Sequence, residues 1–121
     1  MTIELNHTIV PCRDPQASAT FLAEILGLPA PHASGPFLAV ELDNGVTLDF
    51  GADAAAAGGH YAFLVDDDAF DAGFGRIVER RLTYWADPLH RRPMTVNEHH
   101  GGRGVYFTDP SGHNMEILTR A

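Results

Sequence analysis

The chain is poor in cysteine, in basic residues and in long apolar runs, and each shortage excludes something. A single cysteine, Cys12, leaves no intramolecular disulfide to form, which suits a reducing compartment. It follows an apolar run and reads as a small buried hydrophobe in preference to a reactive thiol. Lys+Arg number 8 against 16 Asp+Glu, a net charge of −8. An acidic surface is a poor match for nucleic acid or an anionic membrane, so neither is expected as a partner. The one basic run, His90-Arg91-Arg92, is short and reads as a solvated loop. No window approaches the ~20 apolar residues of a membrane span. The opening stretch MTIELNHTIV lacks the basic region and long apolar run of a signal peptide. A soluble, cytoplasmic protein is expected.

What is present is enough for a core: 121 residues, 45% of them apolar, the size of one domain or of two very small halves packed as one. Thr2 to Val10 alternates as a strand, with Ile3, Leu5, His7 and Ile9 on one face. Asp14-Pro15 reads as cap and first residue of a helix that Gly27 stops, with Phe21, Leu22, Ile25 and Leu28 as its apolar stripe. After a Pro/Gly-broken segment, FLAVELDNGVTLDF forms two strands about the turn Asp43-Asn44-Gly45. GADAAAAGG is a small-residue linker. The order then begins again: HYAFLV as a strand, an acidic run capping the helix AFDAGFGRIVERRL, LTYWADP as strand and turn, a polar insertion HRRPMTVNEHHGG, and a closing hairpin RGVYFTDPSGHNMEILTR.

The halves superpose as sequence. His7 opens the strand before the first helix and His60 the strand before the second. Gly45 precedes Asp49 by four positions, and Gly112 precedes Glu116 by four. This is a weak internal repeat of a β-α-β-β-β unit, with modules at about 1–52 and 58–121 forming a single domain.

Each unit thus offers one His on its first strand and one carboxylate on its last. The side-chain period of two puts Asp49 opposite in facing to Leu48 and Phe50, and Glu116 opposite to Met115 and Ile117. If the outer faces pack on helices, two imidazoles and two carboxylates share the other side. Divalent metals use that mixture: neutral nitrogens for affinity, carboxylates for charge, open positions for substrate. Taken singly, each residue has an ordinary reading, as a hydrogen-bonded core histidine, an edge carboxylate or a turn cap. The joint pattern, symmetric across the repeat, points to a metal.

The stretches NHTIV, HYAFLV and GVYFTDPSGHNMEIL, the last with a DP-x-GH turn ahead of a carboxylate, resemble the vicinal oxygen chelate superfamily, the glyoxalase/bleomycin-resistance/dioxygenase group. The resemblance covers essentially the whole chain. It implies an α+β fold in which two βαβββ units form an open, cup-shaped mixed β-sheet, commonly in a homodimer. His7, His60 and Glu116 match the family's metal ligands, and the divalent ion would be Fe, Ni, Zn, Mn or Mg. Asp49 stands where some members carry a fourth, longer ligand, so it would act through a water or as a base. Tyr106 matches a cleft tyrosine of fosfomycin-resistance-type members. Arg103, beside flexible glycines, is a candidate for an anionic substrate group, with a solvent-exposed loop arginine as the plainer reading. His99-His100 reads as a loop pair, His113 as a turn-exit residue with a structural hydrogen bond, Tyr84 and Trp85 as core or interface, and residues 90–103 as a lid or a dimer contact.

The function implied is a metal-dependent enzyme on a small oxygen-bearing substrate: a lyase, isomerase or group transferase, or an extradiol-type Fe(II) dioxygenase. The alternative is a metal-free drug-binding protein of the bleomycin-resistance type.

Overall fold

Two aspartates open the two helices. The computed structural model describes residues 1–121 and divides into two compact units, Met1–Ala57 and Gly58–Ala121. In the first, Asp14 Oδ1 accepts the N–H of Ala17 at 3.2 Å and Pro15 begins helix α1 (Pro15–Leu26). The cap satisfies a donor that the first helical turn leaves unpaired. Gly27 ends the helix in the left-handed region (φ 68°), where a Cβ would be unfavourable. In the second unit Asp66 Oδ1 accepts from Ala69 N–H at 2.8 Å and opens α2 (Asp67–Glu79).

Strands β1 (His7–Cys12), β2 (His32–Ser34), β3 (Phe37–Glu41) and β4 (Thr47–Ala52) make one mixed sheet in the order β1-β4-β3-β2, with β1 and β4 parallel. Strands β5 (His60–Leu64), β6 (Tyr84–Trp85), β7 (Gly104–Thr108) and β8 (Asn114–Leu118) repeat it as β5-β8-β7-β6, with β5 and β8 parallel. Both hairpins turn on a glycine at positive φ, Gly45 at 85° and Gly112 at 87°. The α+β fold of two βαβββ units, each with an open mixed sheet, is therefore as the sequence led one to expect.

Boundaries differ where partners decide them. The first strand runs His7–Cys12, not Thr2–Val10. Its neighbour β4 begins only at Thr47, opposite His7, so residues 2–5 have no ladder to join and Asn6 adds only its carbonyl, which accepts the Thr47 N–H at 3.0 Å. The stretch read as a broken connection contains the short strand β2, and the LTYWADP strand contracts to two residues. Leu28 lies beyond the helix and is half-buried; the buried stripe of α1 is Ser18, Ala19, Leu22, Ala23 and Ile25.

Each sheet buries one face. In the first unit Val10, Cys12, Val40, Leu48 and Phe50 are buried, as are Leu22 and Ile25 of α1. Cys12 is fully buried, its thiol 3.5 Å from the Gly51 carbonyl oxygen. In the second, Phe107, Met115, Ile117 and Val105 are buried, with Phe70 and Ile77 of α2. The opposite faces carry the polar residues.

Candidate functional site

Register fixes what shares each polar face. In the second unit His60 pairs with Asn114, Ala62 with Glu116, and Glu116 with Tyr106 across β7. Residues two apart on a strand point the same way, so His60, Asn114, Glu116, Tyr106 and Trp85, the partner of Tyr106, lie on one face. There the His60 Nε2 stands 3.1 Å from Glu116 Oε1. The imidazole is exposed, at 45%, and the carboxylate mostly covered, at 13%. The rings of His60 and Tyr106 lie 5.7 Å apart.

Tyr106 is buried beside this pair, and its phenol pKa is pushed up to about 12. Burial is the main cause, followed by the Glu116 charge, a hydrogen bond to Glu116, and the Asp87 charge. At neutral pH the phenol keeps its proton and donates to the carboxylate, so it holds Glu116 rather than acting as a base.

The loop after β6 is anchored to the same face. His90 stacks on Trp85, centroids 3.7 Å apart and rings within 4° of parallel. Its Nε2 is 2.9 Å from Asn114 Oδ1, while Asn114 Nδ2 donates to the Pro88 carbonyl at 3.1 Å. Asp87 closes the loop by accepting the Arg91 and Arg92 N–H groups. Desolvation pulls the Asp87 carboxyl upward, but the N–H groups of Arg91, Arg92 and Leu89 outweigh it and hold the group below its ordinary range.

In the first unit Ile9 pairs with Asp49, and Asp49 with Ala39, so His7 and Asp49 share the face away from α1. His7 is exposed, and its Nδ1 is 2.8 Å from the Asn6 side-chain oxygen. That oxygen only accepts, so Nδ1 carries the proton and Nε2 is left with its lone pair. Asp49 is half-buried. Of the sequence-derived set, then, His60 and Glu116 are brought together with Tyr106, and His7 shares a face with Asp49. No group of three or more His, Cys, Asp or Glu side chains converges within the chain.

Arg103 is engaged by its own unit. It pairs with Asp71 at 2.7 Å and with Asp67 at 3.0 Å, and its guanidinium lies 4.4 Å over the Phe70 ring. The hydrogen bonds to Asp71 and Asp67 raise its pKa. Nothing in its sequence neighbourhood signalled these contacts, which join the start of β7 to the first turns of α2. It also lines an open cleft of about 640 Å³ with Asp66, Glu98 and Arg120, which none of His7, Asp49, His60 and Glu116 lines. His99 and His100 sit in a short 3-10 turn, their rings 6.4 Å apart. Residues 90–103 are tied down by Trp85, by Asn114 and by an Asn97–Gly104 bridge. The Trp85–His90 stack on the polar face was invisible in the sequence, because the strand holding Trp85 is two residues long and the loop returns on itself.

Residues 4–117 match the Glyoxalase/Bleomycin resistance protein/Dioxygenase superfamily. The chain belongs to that superfamily. Among solved structures it is similar to oxidase ChaP-H1, at 58% identity over 99% of this chain and 98% of that one, with a TM-score of 0.97. Similarity to oxidase ChaP-H2 is equal in kind, at 59% identity over 100% and 96% of the two chains and a TM-score of 0.96. Glutathione transferase FosA of Serratia marcescens is 30% identical over 97% of this chain and 81% of its own length.

Proposed function

We propose that the protein is a divalent-metal-dependent oxidase acting on a small oxygen-bearing organic molecule, with dioxygen as oxidant. The observation that carries the proposal is the His60–Glu116 pair, a nitrogen and an oxygen donor 3.1 Å apart on an exposed sheet face. The donor chemistry fits a metal: His7 presents Nε2, His60 directs Nε2 at a carboxylate, and Glu116 is largely desolvated. The ligand set is His60 and Glu116 with His7 as the third ligand that the family match implies; since no three such side chains meet within one chain, His7 would be supplied by a second copy. When bound, a two-histidine, one-carboxylate ion supplies Lewis-acid activation with positions left for substrate and oxygen. Tyr106 keeps the Glu116 carboxylate oriented, and Asp49 moves a proton. Identity of 58% and 59% to two oxidases over nearly the full length favours oxidation over other superfamily reactions. We place the protein in the cytoplasm as a homodimer.

A second reading, metal-dependent group transfer, draws on the 30% identity to glutathione transferase FosA. Oxidation calls for iron, whereas nickel, zinc, manganese or magnesium suits proton or group transfer. A metal-free binding protein is the remaining alternative. Tag-free protein purified without chelators is analysed by plasma mass spectrometry beside the triple variant His7→Ala, His60→Ala, Glu116→Ala, which subtracts binding at His99-His100. About one equivalent of iron, lost in the variant, with oxygen uptake on a catechol-type panel, is the expected result. One equivalent of another metal without oxygen uptake supports the transferase, and no metal under any loading moves the assignment to the binding protein.

A further inference from the structure

His113 is fully buried, and it touches the residues on both sides of His60 in the chain. Its Nδ1 accepts the Gly59 N–H at 2.7 Å, and its ring meets the edge of Tyr61 at 5.3 Å and 90°. An accepting Nδ1 puts the proton of the neutral ring on Nε2. The imidazole is itself held from behind. Asp109 Oδ1 accepts the N–H groups of His113 at 2.8 Å and Ser111 at 2.9 Å, fixing the turn that carries it. Gly59 returns its carbonyl to the Asn114 N–H at 2.8 Å. Gly58 lies so close to the Gly112 carbonyl oxygen that a Cβ there would collide with it. The two residues ahead of His60 are therefore clamped to the turn ahead of β8, the strand of Glu116.

We propose that His113 is a positioning residue for the metal centre: its Nδ1 lone pair fixes the backbone that aims His60 Nε2 at Glu116. An ordinary parallel pair could start one residue later and let the terminal histidine swing. The side-chain acceptor extends the ladder at its first rung, where strands fray. Groups that orient metal ligands through one intermediary matter nearly as much as the ligands. The inference rests on the reading of His60 and Glu116 as metal donors.

The test sets His113→Leu, which removes the acceptor, beside His113→Asn, whose side-chain oxygen takes the place of Nδ1. His113→Asn leaves part of the imidazole volume empty and His113→Leu crowds a site shaped for a flat ring, so both lower the thermal midpoint. Cobalt(II) titration followed by absorption is expected to show affinity falling about 10- to 100-fold in His113→Leu. In His113→Asn it should return to within about threefold of the unmodified chain. Without metal, nuclear Overhauser contacts between the His60 and Tyr106 rings should persist in the unmodified protein and His113→Asn and vanish in His113→Leu. Equal cobalt affinities in the two variants, or ring contacts unchanged in His113→Leu, would overturn the proposal. If the unmodified chain binds no cobalt, the metal reading fails, and the ring contacts alone decide whether His113 sets His60.

Discussion

The two βαβββ units are the same device built twice, and they differ at the polar face. His7 corresponds to His60, Asp49 to Glu116, and Ala39 to Tyr106 through equivalent register pairs. In the second unit the histidine and the longer carboxylate meet at 3.1 Å, with a tyrosine holding the carboxylate. In the first, the acid is one methylene shorter, the tyrosine position is a buried alanine, and His7 turns its Nδ1 to Asn6. The loops diverge likewise. Strands β2 and β3 are joined through Gly35-Pro36 alone, whereas β6 and β7 enclose the long segment that brings His90 onto Trp85. The scaffold is common to both units, and the second alone brings its histidine and carboxylate into contact. Burial preserves the core pattern, but a polar face is constrained only by what it binds.

The largest expected effect breaks the asymmetry at its centre. Glu116→Gln keeps the size and the fold but removes the anionic donor, and should weaken divalent metal binding by more than about 100-fold, beyond what loss of an orienting group costs. The matching change in the first unit, Asp49→Asn, should alter affinity by less than about tenfold if Asp49 acts through a water or as a base. Calorimetric titration of both variants checks this. Comparable losses would make the two carboxylates equivalent ligands and erase the distinction.

The next effect is spectroscopic. Burial and the charge of Glu116 raise the Tyr106 phenol from 10.0 to about 12. Because the folded value is raised, the stability this group contributes is complete below pH 10 and is lost as the pH climbs through about 12. Alkaline titration of phenolate absorbance should show one tyrosine of the three ionising late, and Tyr106→Phe should remove that phase. In Glu116→Gln the phase should move down, since one raising charge is gone. An unchanged phase in Tyr106→Phe would assign it elsewhere.

The repeat, both helix caps and the shared sheet face of each unit's histidine and carboxylate were legible because each leaves a local mark: Asp-Pro ahead of an apolar stripe, a Gly-bearing turn four residues before an acid. The start of β1 was not legible. Ile3 and Leu5 continue its alternation, yet they stand 92% and 66% exposed, because the chain beside them has not begun its strand. Nor were the contacts of Arg103 with Asp67 and Asp71, or of His113 with Gly59, since they join residues more than thirty positions apart. Hydrophobic period reports which face is buried. It carries no record of which polar partners the fold will bring opposite each other.

The smallest effect sharpens the comparison where the units agree. Asp14 and Asp66 cap equivalent helices, so each aspartate-to-alanine change should cost about 1 kcal/mol in urea unfolding. The Asp66 bond is shorter, 2.8 Å against 3.2 Å, and Pro15 already presets the backbone at the start of α1. Asp66→Ala should therefore be the costlier, by a few tenths of a kcal/mol on the scale of these caps. Against this, Asp66 stands next to Asp67 and Asp68 in the first turn of α2, so its removal relieves like-charge repulsion. Raising the salt concentration screens that contribution, so the gap between the two variants should widen in salt. A gap that closes instead would mean that the caps, like the polar faces, have ceased to be equivalent.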